Sequence, residues 1–156
     1  MTEQAITEIF TRQVDTIYRV CYAYMGNAAD TEDAVQETFI KLMRSDVEFN
    51  DVEHEKAWLI RVAVNHCKDV LKSSSRKNVT LDSVSEPADE QAGLDETLKV
   101  VLDLEPKYKD AIYLHYYEGY TTEEIGEILG HPPSTIRNHL SEARRILKRE
   151  LGGEWR

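Results

Sequence analysis

The stretch TTEEIGEILGHPPSTIRNHLSEARRIL, Thr121 to Leu147, restricts the fold more than any other part of the chain. Thr121 can accept from the backbone N–H of Glu124 while the Glu124 side chain reaches back, and Tyr120 can pack on Ile125, so a helix starts here with a full set of entry signals. Ile125, Ile128 and Leu129 share one of its faces. Gly130 supplies a left-handed C-terminal cap. Pro132 and Pro133 forbid continuation, so the chain turns before Ser134, which is expected to cap a second helix. Two short amphipathic helices around a stiff turn are the outline of a helix-turn-helix.

In the second helix Ile136, Leu140, Ala143, Leu147 and Leu151 recur at three- and four-residue steps, leaving Arg137, Ser141, Arg144 and Lys148 on the opposite stripe. One face packs and the other is basic, which suits the major groove of DNA. Ser134, Thr135, Arg137, Asn138 and Ser141, near the helix start, are candidates for base edges, and Arg144, Arg145 and Lys148 for phosphates. Taken alone, the stretch also fits a helical hairpin whose basic face is only solvated.

The net charge of -10 argues against a nucleic-acid binder until it is divided along the chain. Met1 to Glu55 carries -8, Lys56 to Lys77 +5, Asn78 to Glu105 -7, Pro106 to Pro133 -3 and Ser134 to Arg156 +3. Only two segments are basic, and the second holds the candidate recognition helix. Such a chain is repelled from DNA at long range yet can touch it at two places, which implies that a partner carries it there.

Upstream, Ile6, Phe10, Val14, Ile17, Cys21 and Tyr24 give a helix from about Gln4 to Met25, ended by Gly26 and Asn27. A second helix is expected to start with Asp30 as its cap and to bury Val35, Phe39, Leu42 and Met43. Its outer stripe, Asp33, Gln36, Glu37, Ile40 and Lys41, reads from periodicity alone as a solvated face. Ser45 to Glu55 reads as a loop. A third helix from near Lys56 buries Trp58, Leu59, Val62, Ala63, Cys67, Val70 and Leu71, and leaves Arg61, Asn65, Lys68, Lys72 and Arg76 as a second basic stripe and candidate phosphate contact.

Asn78 to Ala92 is rich in Ser, Asp, Glu and Pro without a usable period and reads as a flexible tether. The organisation expected is therefore all-α, with one small helical domain over 1–77, a linker over 78–92 and a helix-turn-helix domain, winged-helix-like in type, over 93–156. The last domain opens with a helix carrying Leu94, Leu98, Val101 and Leu102. Pro106 then starts another, with Tyr108, Ala111, Ile112 and Tyr116 inward and Gly119 at its end.

Cys21 and Cys67 fall on apolar helix faces and read as buried free thiols, and no histidine or cysteine spacing suits a metal; no cofactor is expected. No phosphate-binding glycine loop or nucleophile elbow is present, so an enzyme is not expected. There is no apolar run of about 18 residues, and the first residues lack a signal-peptide pattern. A cytoplasmic location without membrane insertion is the expectation.

On these residues the chain resembles the extracytoplasmic-function (ECF) group of bacterial sigma-70 factors. DTEDAVQETFIKL is similar to that family's core-polymerase-binding helix, AWLIRVAVNHCKDVLK to its helix at the start-proximal promoter element, and YTTEEIGEILGHPPSTIRNHLSEARRILKREL to its reader of the distal element. The resemblance implies an initiation factor that binds core RNA polymerase and promoter DNA, and binds promoters poorly when free. Asp33, Gln36, Glu37 and Lys41 would dock on the clamp helices of the largest polymerase subunit. Ser45 to Glu55, with Arg61 and Asn65, would help to capture an unpaired base. An anti-sigma partner is also implied. Three places depart from the family habit: Ser73, Ser74 and Ser75 dilute the basic run, Asn138 and His139 replace a small-then-basic pair, and Gly126 stands where alanine is usual. Two other classes share the sequence features, a stand-alone helix-turn-helix regulator and an interaction adaptor without DNA binding.

Overall fold

The computed structural model describes residues 1–77 and 96–152, with side chains between 74 and 77 outside the description. The expected tether and Leu94 lie outside the described residues. The chain divides into two compact units, Met1–Glu90 and Gln91–Arg156, and the described residues contain helices and no strand.

The first unit is three helices, α1 (Glu3–Met25), α2 (Ala28–Arg44) and α3 (Val52–Lys77), each packed on the other two. Ile17, Val20, Leu42, Leu59, Ile60 and Val64 are fully buried at their centre. Cys21 and Cys67 are free and buried there, and hydrogen bonding between the two thiols, with burial second, pushes the Cys21 pKa up. Gly26 ends α1 at φ 79°, a left-handed conformation that costs a residue without a Cβ little.

Several details differ from the sequence expectation. The cap of α2 is Asn27, whose Oδ1 accepts from Asp30 N at 2.8 Å; Asp30 is one turn too late and sits inside the helix. α3 begins at Val52 rather than near Lys56, so the loop spans only 45–51. Asp51 starts it by accepting from His54 N at 2.8 Å, and Glu53 and Glu55 in the first turn suit the helix dipole, so a stretch that reads as polar loop is a helix entry. Met43 is 53% exposed, and Phe10 and Val70 are exposed as well. Phe10 nonetheless lays its ring against Phe39, at 4.9 Å between centroids. Val62 and Trp58 are half-buried while Ile60 and Val64 are buried, because α3 is covered by two neighbours and so hides a wider arc than one apolar stripe.

The second unit contains α4 (Glu96–Leu102), α5 (Pro106–Ile112), a π-helical turn (Tyr113–Tyr117), α6 (Thr122–Leu129) and α7 (Pro133–Leu151). α7 packs on α4, α5 and α6 through Ile136, Leu140, Ala143 and Leu147. Tyr116, expected inward, is 46% exposed, and Tyr113 and Leu114 are buried instead. The wider π turn breaks the 3.6-residue register on which the inward assignment rests.

Candidate nucleic-acid and polymerase interfaces

The helix-turn-helix is closed by local hydrogen bonds. Thr121 Oγ1 accepts from Glu124 N at 3.1 Å and Glu124 Oε1 from Thr121 N at 2.9 Å, a complete capping box. At the other end of α6 the Gly126 carbonyl accepts from both Gly130 N and His131 N. Gly130 is left-handed at φ 77°. A Cβ on Gly126 would stand 2.6 Å from the His131 carbonyl oxygen, so the missing side chain is what lets the turn pass against α6. That close approach accounts for a glycine inside a helix.

Ser134 does not cap α7. Pro133 is the first helical residue and Pro132 the cap, with no side-chain hydrogen bond; Thr135 N and Ile136 N reach the Pro132 carbonyl instead. Proline suits this place because its fixed φ is helical and its missing N–H would have had no partner in the first turn. Ser134, Arg137, Asn138, Ser141, Arg145 and Lys148 are exposed along α7, and Thr135 and Arg144 are half-buried.

The three candidate arginines are held in different ways. Arg137 Nη1 lies 3.8 Å from Glu123 Oε2 of α6, both well exposed, a loose pair that solvent screens. Arg145 grips Glu142 through two nitrogens, and that hydrogen bonding holds the Glu142 carboxyl below its ordinary pKa. Arg144 donates from Nε to the Tyr116 hydroxyl at 2.9 Å. The i,i+3 spacing of Glu142 and Arg145 is legible in sequence. Tyr116 and Glu123 as partners are not, because tertiary packing brings them in.

On α3, Arg61, Asn65 and Lys72 are exposed and Lys68 is half-buried. Arg76 falls on the last turn, with its side chain outside the described residues. On α2, Asp33 and Gln36 are exposed, and Glu37 and Lys41 half-buried. The latter two border α3: His66 has its pKa lowered first by burial and then by Lys41, with Glu37 opposing.

The start of α3 is fixed by a buried carboxylate that the sequence reading missed. Glu55, 4% exposed, accepts from Arg12 Nε at 2.9 Å, Arg12 Nη2 at 2.7 Å and Gln13 Nε2 at 2.8 Å. Burial works to raise the Glu55 pKa, but the donors from Arg12 and Gln13 together outweigh it and the net direction is down. Arg12 and Glu55 also border a cleft of about 610 Å³ with Met1, Glu8, Asp46 and Phe49. Phe49 in turn packs edge-on against His54 and Trp58. Phe49 thus ties the loop to α3, and the Glu55 cluster ties α3 to α1.

Residues 9–77 match the family described as Sigma-70 region 2, and residues 94–147 match Sigma-70, region 4. The chain is 31% identical over 141 residues to the ECF RNA polymerase sigma-E factor of Haemophilus influenzae, covering 78% of this chain and 75% of that protein. It is 30% identical over 155 residues to the ECF RNA polymerase sigma factor SigE of Mycolicibacterium smegmatis, covering 90% of this chain but spanning only 59% of the longer relative. In fold it is similar to the sigma factor RpoE solved in complex with the anti-sigma factor NepR from Bartonella quintana, with a TM-score of 0.75, 23% identity and 95% and 97% of the two chains covered. A three-helix unit followed by a helix-turn-helix, each matching its own sigma region in that order, defines a transcription initiation factor. The chain belongs to the ECF group of the sigma-70 family of RNA polymerase sigma factors.

Proposed function

We propose that the chain binds bacterial core RNA polymerase in the cytoplasm and directs initiation by touching two promoter elements, one with each unit. The observation that carries this reading is the pairing of both sigma regions with two outward basic helix faces, in a chain whose net charge of -10 opposes unaided DNA binding. Asp33, Gln36, Glu37 and Lys41 form the polymerase contact. Arg61, Asn65, Lys68, Lys72 and Arg76 meet the start-proximal element, with the loop over 45–51 beside them. Ser134, Thr135, Arg137, Asn138 and Ser141 read the distal element, and Arg144, Arg145 and Lys148 hold its phosphates. An anti-sigma factor, such as the one bound to the Bartonella neighbour, restrains the protein until a signal releases it. No catalytic group, metal or cofactor takes part.

No helix among the described residues is long and apolar enough to cross a membrane. The test is co-elution with core RNA polymerase in competition with a primary sigma factor. Competitive binding by the wild type, weakened by Glu37→Lys with the fold intact, supports the reading. A folded chain that does not bind core returns it to the stand-alone regulator or the adaptor, and normal binding by Glu37→Lys removes Glu37 from the contact.

A further inference from the structure

Tyr116 stands at the surface on the π turn that follows α5, a helix against which α7 packs. Its hydroxyl accepts from Arg144 Nε at 2.9 Å, and the guanidinium carbon lies 5.7 Å from its ring centroid. The ring is itself braced: His115 packs edge-on to it at 4.8 Å, and His115 Nδ1 is 2.8 Å from the Tyr120 carbonyl oxygen. His115, Tyr116 and Arg144 therefore form a line of contacts from the turn before α6 to the outer face of α7.

The chemistry of that line differs from the two other arginine contacts on α7. Arg137 and Arg145 face carboxylates, which partly neutralise them and compete with any phosphate. Arg144 is held by a neutral oxygen, and among the described residues it forms no ion pair. Engagement through Nε leaves the two terminal nitrogens, the end of the fork that fits a phosphate, outside that hydrogen bond. An arginine side chain loses substantial rotamer freedom when fixed, and a partner that fixes it beforehand removes that cost from binding.

We propose that Tyr116 is a positioning residue of promoter recognition, which aims Arg144 at a DNA phosphate by holding its Nε and leaving its charge intact. The proposal rests on the reading of Arg144 as a phosphate contact given above. The sequence hides the pair, since its members are 28 residues apart.

The test uses holoenzyme reconstituted from core RNA polymerase and the full chain, and a duplex pool selected from random sequence by the wild-type holoenzyme. Tyr116→Phe keeps the exposed ring and removes only the hydroxyl. It is expected to weaken binding by about 3- to 10-fold, and Arg144→Lys, which keeps the charge but loses Nε, is expected to match it. Arg144→Ala is expected to weaken binding further and to lower the slope of log affinity against log salt by about one. Adding Tyr116→Phe to Arg144→Ala is expected to change nothing more. If Arg144→Ala weakens binding but Tyr116→Phe is silent, or its loss adds in full to that of Arg144→Ala, the positioning role is overturned and the phosphate contact stands. If Arg144→Ala itself leaves affinity and salt slope unchanged, the phosphate contact fails and the positioning role falls with it. Thermal unfolding of each variant separates either result from loss of fold.

Discussion

α3 and α7 are both long amphipathic helices with a basic outer stripe, but they are anchored and equipped in opposite ways. α3 is fixed at its start by side chains, the Arg12–Glu55–Gln13 cluster, while among the described residues its cations Arg61 and Lys72 form no ion pair. α7 is fixed at its start by backbone, through the Gly126 carbonyl and two prolines, while Arg144 and Arg145 are each held by a side-chain hydrogen bond and Arg137 faces Glu123 across a looser pair. On the proposed reading, a helix face that meets phosphates depends chiefly on its charge. One that reads base edges depends on orientation as well.

Removal of the α3 anchor is the strongest way to break that contrast. Glu55→Ala deletes a buried acceptor for Arg12 and Gln13 and is expected to cost about 2 to 3 kcal/mol, kept toward the lower end of buried-pair losses because Arg12 stays in contact with water. Chemical denaturation checks it. The same carboxylate has a pH signature. Its folded pKa lies below the ordinary 4.5, so its stabilisation is complete above that value and is lost as pH falls through the lower folded value. Wild type should therefore lose stability more steeply than Glu55→Gln between roughly pH 5 and pH 3, and parallel curves would remove the cluster from that role.

The α7 anchor should respond to a single methyl group. Gly126→Ala gains about 1 kcal/mol of helix propensity but forces the His131 carbonyl away, and a net loss of about 1 to 2 kcal/mol is expected. A raised melting temperature would mean that the turn relaxes at no cost.

Effects on promoter binding, with stability unchanged, separate the two stripes. Lys72→Ala in the holoenzyme should lower the salt slope of promoter binding by about one, equally for all sequences. Arg137→Ala should cost about 1 to 3 kcal/mol at the preferred distal element and loosen selectivity there. Equal losses on every promoter for both variants would erase the distinction between charge and aim.

What could be read from the sequence follows from the range of each interaction. Gly26, the Thr121–Glu124 capping box and Gly130 act within a few residues of themselves, and the structure has them as the chain implies. The apolar stripe of α7 is equally local. Errors arise where two local signals compete, as Asn27 against Asp30 or Pro133 against Ser134, and where acids at Asp51 to Glu55 serve a helix dipole instead of a loop. Partners distant in sequence have no such local mark. Glu55 lies 43 residues from Arg12, and nothing near either one announces the other. Tyr116 reads as core because a π turn has no periodic mark in sequence.

The bracket at the start of α7 has an evolutionary corollary. Carbonyls, amides and proline rings set the angle at which the helix leaves α6, and none of these atoms belongs to Arg137, Asn138 or Ser141. The outward residues are therefore interchangeable parts on a fixed mount. Paralogues could diverge in regulon through a few codons while the scaffold stays untouched, and a designer could retarget the protein along the same route.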